Sequence, residues 1–171
     1  MFVKIFKYTL LIFCVYNMVS CGPRPEPIMP MTSYIPILMS RTQIDNSILL
    51  KEPRTMNNPG KIYFKDNYIF INEKYKGIHI INNKDPKKPI KVGFILVPGC
   101  LDMAMKGSVL YVDNATDLLA IDLSDTMKAV VTKRVIDIFP ELTPPDNRNI
   151  DAIYSKKNRP ANTIIVGWTK K

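Results

Sequence analysis

The chain has few of the residues that catalytic and metal sites draw on. Among its 171 residues histidine occurs once, at His79, and cysteine three times, at Cys14, Cys21 and Cys100. One imidazole cannot supply the paired histidines of many zinc sites. A thiol nucleophile needs a base within hydrogen-bond reach, and a partly exposed strand histidine and a small buried cysteine are the readings favoured for His79 and Cys100. Only seven glycines are present, and Pro59-Gly60-Lys61 lacks the glycine-rich approach and the following helix of a phosphate loop. Asp113, Asp117, Asp122 and Asp125 do not form an Asp-x-Asp-x-Asp-Gly loop, so they read as turn formers at strand ends rather than calcium ligands. Asp102 and Glu73 are the candidate acid and base for glycoside hydrolysis, with nothing to set their separation. No arginine-rich run alternates with aromatics. The net charge of +9 comes from scattered lysines, densest at Lys84, Lys87, Lys88 and Lys91 and near Lys156, Lys157 and Arg159. Such a surface suits solvent and anionic headgroups better than nucleic acid. No cofactor or metal is expected.

Long apolar runs are also missing. The longest, Tyr8 to Val19, follows Lys4 and Lys7 and falls short of the roughly 20 residues that cross a bilayer as a helix. It has the length of a signal-peptide core, so residues 1–20 read as an export signal. Met18-Val19-Ser20-Cys21 resembles the lipobox of bacterial lipoproteins, with Met18 where the pattern usually has Leu. The resemblance implies cleavage before Cys21 and a membrane anchor through lipid on Cys21. Cys14 would then leave with the signal and Cys21 would be blocked, so Cys100 alone would stay free. Each buried acyl methylene contributes about 0.8 kcal/mol, and two or three chains on one cysteine hold firmly. Pro23, Pro25, Pro27, Pro30 and Pro36 make residues 21–36 an extended, proline-rich tether.

Residues 37–171 read as a β-repeat domain. Ser40-Arg41-Thr42-Gln43 is a capping-box pattern that opens a short helix, about Arg41 to Leu50, stopped by Pro53. Lys61–Lys65, Tyr68–Asn72, Gly77–Ile81 and Ile90–Val97 are short β-branched and aromatic runs, spaced as an antiparallel meander. The order then recurs. Lys106–Asp113 aligns with Lys65–Asn72 at an offset of 41 residues, and Leu118–Asp122 aligns with Ile78–Asn82 at an offset of 40. The one-residue slip falls in the loop between two strands, where an insertion costs least. A period of about 40–45 residues built from short strands marks propeller-like blades, here near 61–100 and 101–139. Met127–Phe139 is strand-rich, Pro140–Asn162 is a long exposed loop, and Thr163–Trp168 is one further strand with no evident partner. The fold class is therefore mainly β: an incomplete β-propeller-like stack of antiparallel blades preceded by one short helix. Few repeats leave sheet edges that the helix, loops, further blades or a second chain would cover.

The paired motifs Ile71-Asn72 and Val112-Asp113, followed by Ile80-Ile81-Asn82 and Ala120-Ile121-Asp122 and then Asp85-Pro86 or its relic at Asp125, resemble the LVIVD-repeat proteins. The resemblance covers most of Pro36 to Trp168. It implies a propeller-like fold and a lipid-anchored place in the cell envelope, the outer membrane favoured over the inner. It implies no catalytic residue. It also suggests the N-terminal part of a longer protein, or a shortened relative. The leading expectation is a non-enzymatic module that binds a protein or glycan. The rivals are a hydrolase using Asp or Glu carboxylates between blades and a truncated product without independent function. Aromatics are the candidates for binding, since their faces stack on sugars and side chains. Tyr75, Tyr111 and Tyr154 are singled out, with Tyr63, Tyr68 and Trp168 behind them. The competing reading is core filling.

Overall fold

The computed structural model describes residues 30–125 and 128–171; the expected export signal, Cys21 and most of the tether lie outside the described residues. Within them, the strands form three antiparallel sheets. The first has the order β2-β6-β5-β4-β3 and contains β2 (Leu49–Lys51), β3 (Pro59–Lys65), β4 (Tyr68–Glu73), β5 (Gly77–Asn82) and β6 (Ile90–Leu96). The second has the order β10-β9-β8-β7, from β7 (Met103–Lys106), β8 (Val109–Asn114), β9 (Asp117–Asp122) and β10 (Val130–Val135). β3 to β6 and β7 to β10 are thus the same meander, as the internal repeat requires.

The alignment of the two repeats holds at the level of turns. Asp66 and Gly107, the first residues of the β3–β4 and β7–β8 turns, both have left-handed backbone, at φ 52° and 59°. Glu73 pairs with Gly77 across a three-residue turn, whereas Asn114 pairs with Asp117 across a two-residue turn. The slip of one residue lies there. Tyr75 and Ala115 occupy corresponding left-handed positions in these turns, at φ 64° and 58°.

Strand alternation gives each sheet an apolar face. Phe70, Ile78, Ile80 and Ile95 of the first sheet join Leu110, Val112, Leu119 and Ile121 of the second in one buried cluster. Each such side chain stabilises the fold by roughly 1.5–3 kcal/mol, so neither sheet is stable in water without the other. The linker between them, Pro98-Gly99-Cys100, runs past both turns. The Tyr75 amide donates to the Cys100 carbonyl at 2.7 Å, and a Cβ on Gly99 would strike Ala115.

The third sheet corrects the tether boundary. β11 (Thr163–Lys170) finds its partner in β1 (Tyr34–Ser40), so regular structure begins before Pro36. Pro36 lies opposite Trp168. Proline is tolerated because β1 is an edge strand that needs no donor on its open side. The helix is also shorter than expected: α1 covers only Arg41–Asp45. Its capping box forms, with the Gln43 amide donating to Ser40 Oγ and the Ser40 amide to Gln43 Oε1. Beyond it, Leu49–Lys51 pairs with Phe94–Leu96 and covers the edge of β6. An edge in need of a partner overrides five residues of helical pattern. Ile44 of α1 is buried with Ala115, Ile164 and Val166, which seats the third sheet on the β8–β9 turn.

Candidate functional site

Each repeat buries one carboxylate at the end of its middle hairpin. In the first, Glu73 closes β4 and is 2% exposed. His79 Nε2 lies 2.8 Å from Glu73 Oε2, and His79 is fully buried rather than partly exposed. The register places Ile71, His79 and Phe94 side by side on the face of the first sheet opposite the shared core. The His79 ring meets the Phe94 ring edge-on at 4.8 Å. The β2–β3 linker covers this face: Arg54 stacks over Phe94 at 4.9 Å and brings Nη2 to 3.7 Å from Glu73 Oε1. Burial of His79 is offset in part by Glu73 at Nε2 and by the Phe94 ring, while its Nδ1 is buried with no hydrogen-bond partner among the described residues.

The same strand alternation separates His79 from Cys100. Asn72, on the core face, donates to Cys100 Sγ at 2.9 Å, while His79 points to the other face. Burial, reinforced by nearby Asp113, pushes the Cys100 thiol well above its ordinary range. That thiol stays protonated at neutral pH and is no nucleophile.

Glu73 also reaches an open cleft of about 780 Å³. One wall is the β4–β5 turn with Lys74, Tyr75 and Lys76; another is Tyr34 and Trp168 of the third sheet; Arg54, Asn57 and Asn58 close a third side. Thr143 to Asn147 complete it, and this loop is tied to the chain before β1 where Thr32 Oγ1 donates to Asp146 at 2.8 Å. Burial and the neighbouring Tyr34 raise the Tyr75 phenol above its ordinary range, so it remains a neutral donor. Trp168 is 8% exposed, and its indole Nε1–H has no hydrogen-bond partner among the described residues. A bulky residue in left-handed backbone, as at Tyr75, marks a position held by its surroundings.

In the second repeat the buried carboxylate is Asp117, the first residue of β9 and 0% exposed. Arg41 donates to it with both terminal nitrogens, Nη1 at 3.1 Å and Nη2 closer still. Arg134 Nη1 donates at 2.6 Å, and the same nitrogen reaches Asn114 Oδ1 at 2.8 Å. Arg134 also bonds the Ile44 carbonyl, so one carboxylate ties α1, β9 and β10 together. Burial opposes ionisation of Asp117, but hydrogen bonds from Arg41, Arg134 and the Asp137 amide outweigh it and hold the carboxyl below its ordinary range.

The three tyrosines singled out from sequence do not converge. Tyr75 lies in the cleft. Tyr111, 38% exposed, stands on the outer face of the second sheet beside Leu118 and Phe139. Tyr154 ends a 3-10 turn, Ala152–Tyr154, within the loop before β11. Cys21 lies outside the described residues. Glu73 and Asp102 have separate partners, the latter taking Lys61 Nζ at 2.6 Å on the surface. Of the remaining aspartates, Asp122 accepts from Ser124 as a turn former, while Asp113 holds the Leu101 and Asp102 amides. Sequence reasoning missed Tyr34, inside the supposed tether, and Arg54, in an unassigned linker; the alternation Tyr34-Ile35-Pro36-Ile37 was the available signal. Comparison of the chain with protein-family models, curated proteins and solved structures finds no match.

Proposed function

We propose that this protein is an envelope lipoprotein, anchored through lipid on Cys21, whose β-repeat domain is a non-enzymatic module for binding a protein or glycan partner. The observation that carries the binding role is the open cleft at the turn end of the sheets, walled by Tyr34, Tyr75 and Trp168 and rimmed by Arg54, Lys74 and Lys76. Its volume lies within the range of about 300–1,000 Å³ usual for ligand sites, and its open lining, mostly of polar residues, suits a polar partner. The carboxylate in its wall, Glu73, is engaged by His79 and Arg54, which suits a structural part better than proton transfer to a substrate. The anchor reading draws on the apolar run and Cys21, together with the likeness to LVIVD-repeat proteins.

Two measurements test the reading. Cells fed labelled palmitate should incorporate it into the wild-type chain and not into Cys21→Ala, and the wild type alone should sediment with membranes. The full chain probed against glycan and envelope-protein arrays should bind saturably without converting what it binds. Equal labelling of both chains sinks the anchor, and release of a hydrolysis product puts the hydrolase in its place.

A further inference from the structure

The cleft stands where the two repeats differ. The second repeat closes its middle hairpin with two small residues, Ala115-Thr116, both buried. The first uses three, and two of them are exposed lysines flanking a tyrosine. Both turns take a left-handed step, at Tyr75 and at Ala115, but in the first it falls on a tyrosine, and the chain re-enters the sheet at Gly77 with φ 142°, where a Cβ would strike the Ile95 carbonyl. Tyr75 is thereby laid against β11, where a Cβ on Gly167 would come within 3.2 Å of its own Cβ. The backbone of this turn holds the linker between the repeats through Tyr75 and Lys76, but the side chains of Lys74, Tyr75 and Lys76 stand outside the shared core. They shape the cleft.

The lining chemistry is specific. Lys74 and Lys76 supply positive charge, while Arg54 is paired with the single acid of the lining, Glu73, which His79 also engages. Tyr34 and Tyr75, both half-buried, supply aromatic surface, and Trp168, buried at the edge of the cleft, has an N–H that lacks an acceptor. Asn57, Asn58 and Asn147 add amides that both donate and accept, as sugar hydroxyls require. Aromatic faces stack on the apolar faces of sugar rings, and cations select an acidic substituent. We propose that this cleft binds an acidic saccharide, with Tyr75 and the neighbouring aromatics against the ring and Lys74 and Lys76 on its carboxylate or phosphate. The proposal rests on the interaction-module reading and gives it a ligand class.

Trp168 is the chain's only tryptophan, so its emission reports on the cleft directly. The full chain is titrated with trigalacturonate, with mannose 6-phosphate, with the methyl ester of trigalacturonate, and with hexaglutamate, following both emission and heat. At least one acidic saccharide should change Trp168 emission saturably; the ester should bind at least tenfold more weakly. The double variant Lys74→Ala/Lys76→Ala should lose tenfold or more in affinity, with an unchanged melting temperature showing that the fold is intact. Lys133→Ala, on β10 away from the cleft, should bind as the wild type does. The carboxylate and phosphate probes separate the two sources of the anion. Hexaglutamate binding more tightly than either saccharide would make the cleft a peptide groove and overturn the proposal. So would heat without an emission change, or no response to either saccharide. Each of these failures leaves the wider module reading to its array test, whereas cleavage of trigalacturonate would overturn that reading itself.

Discussion

The two repeats share a topology and a buried acid, yet the acid sits on opposite strands of the corresponding rung. Glu73 faces Gly77 across the first hairpin end, and Asp117 faces Asn114 across the second. The partners differ accordingly. Glu73 takes a histidine from the adjoining strand of its own sheet and an arginine from a linker, beside an open cleft. Asp117 takes arginines from α1 and β10 and acts as a lock between the second sheet and the segment that carries the third. One repeat position has thus become a tie and the other a wall of the cleft.

The largest expected effect falls on the lock. Asp117→Ala leaves two arginine charges without their buried partner and should cost about 3–5 kcal/mol in urea unfolding. The pH dependence has a definite sign. Because the folded-state pKa is lowered, the contribution is present above the ordinary carboxylate value of about 3.9 and fades as pH falls through the folded value. The stability gap between wild type and Asp117→Asn should therefore be widest above about pH 4 and narrow on acidification. A gap that grows in acid would remove the lock.

Next comes His79→Ala, which opens a cavity beside Phe94 and leaves Glu73 with one distant partner. A loss of about 2–3 kcal/mol is expected. A loss exceeding that of Asp117→Ala would reverse the comparison and make the first repeat the more dependent on its ion pair. The smallest effects belong to the outer turns, where Asp66 and Gly107 share a left-handed backbone. Asp66→Gly should stabilise by no more than about 0.5 kcal/mol and Gly107→Asp should destabilise by a similar amount, because a Cβ disfavours that conformation only weakly for the short polar Asp and glycine loses more chain entropy on folding. The exposed ion pair of Asp66 with Lys65 is worth too little to change the sign. Thermal melts of both variants check the symmetry of the two meanders.

Much of the fold was legible because alternating apolar runs and turn residues act locally. Apart from the short β7, the strands from Lys61 to Asp122, the capping box at Ser40 and the one-residue slip between repeats all follow from neighbours in sequence. The third sheet was hidden because Tyr34 and Trp168 are far apart in the chain, and Pro36 argued for a tether until an edge position excused it. The length of α1 was misjudged because the same residues, Leu49 to Lys51, satisfy a helical pattern and also fit the open edge of β6. Of the site, Tyr75 and Trp168 were visible as strand-flanking aromatics. Arg54 and Tyr34 were not, since neither stands in a motif.

By itself the sequence determined a β-rich chain with two copies of one meander and the turns between their strands, because hydrophobic period and backbone preference are properties of short segments. Only the tertiary structure decided that the first and last strands pair, which face His79 buries, and which acid meets which base. Those outcomes depend on charges and edges that must find partners across the whole chain, where burial makes an unpaired group costly and distance along the sequence counts for nothing.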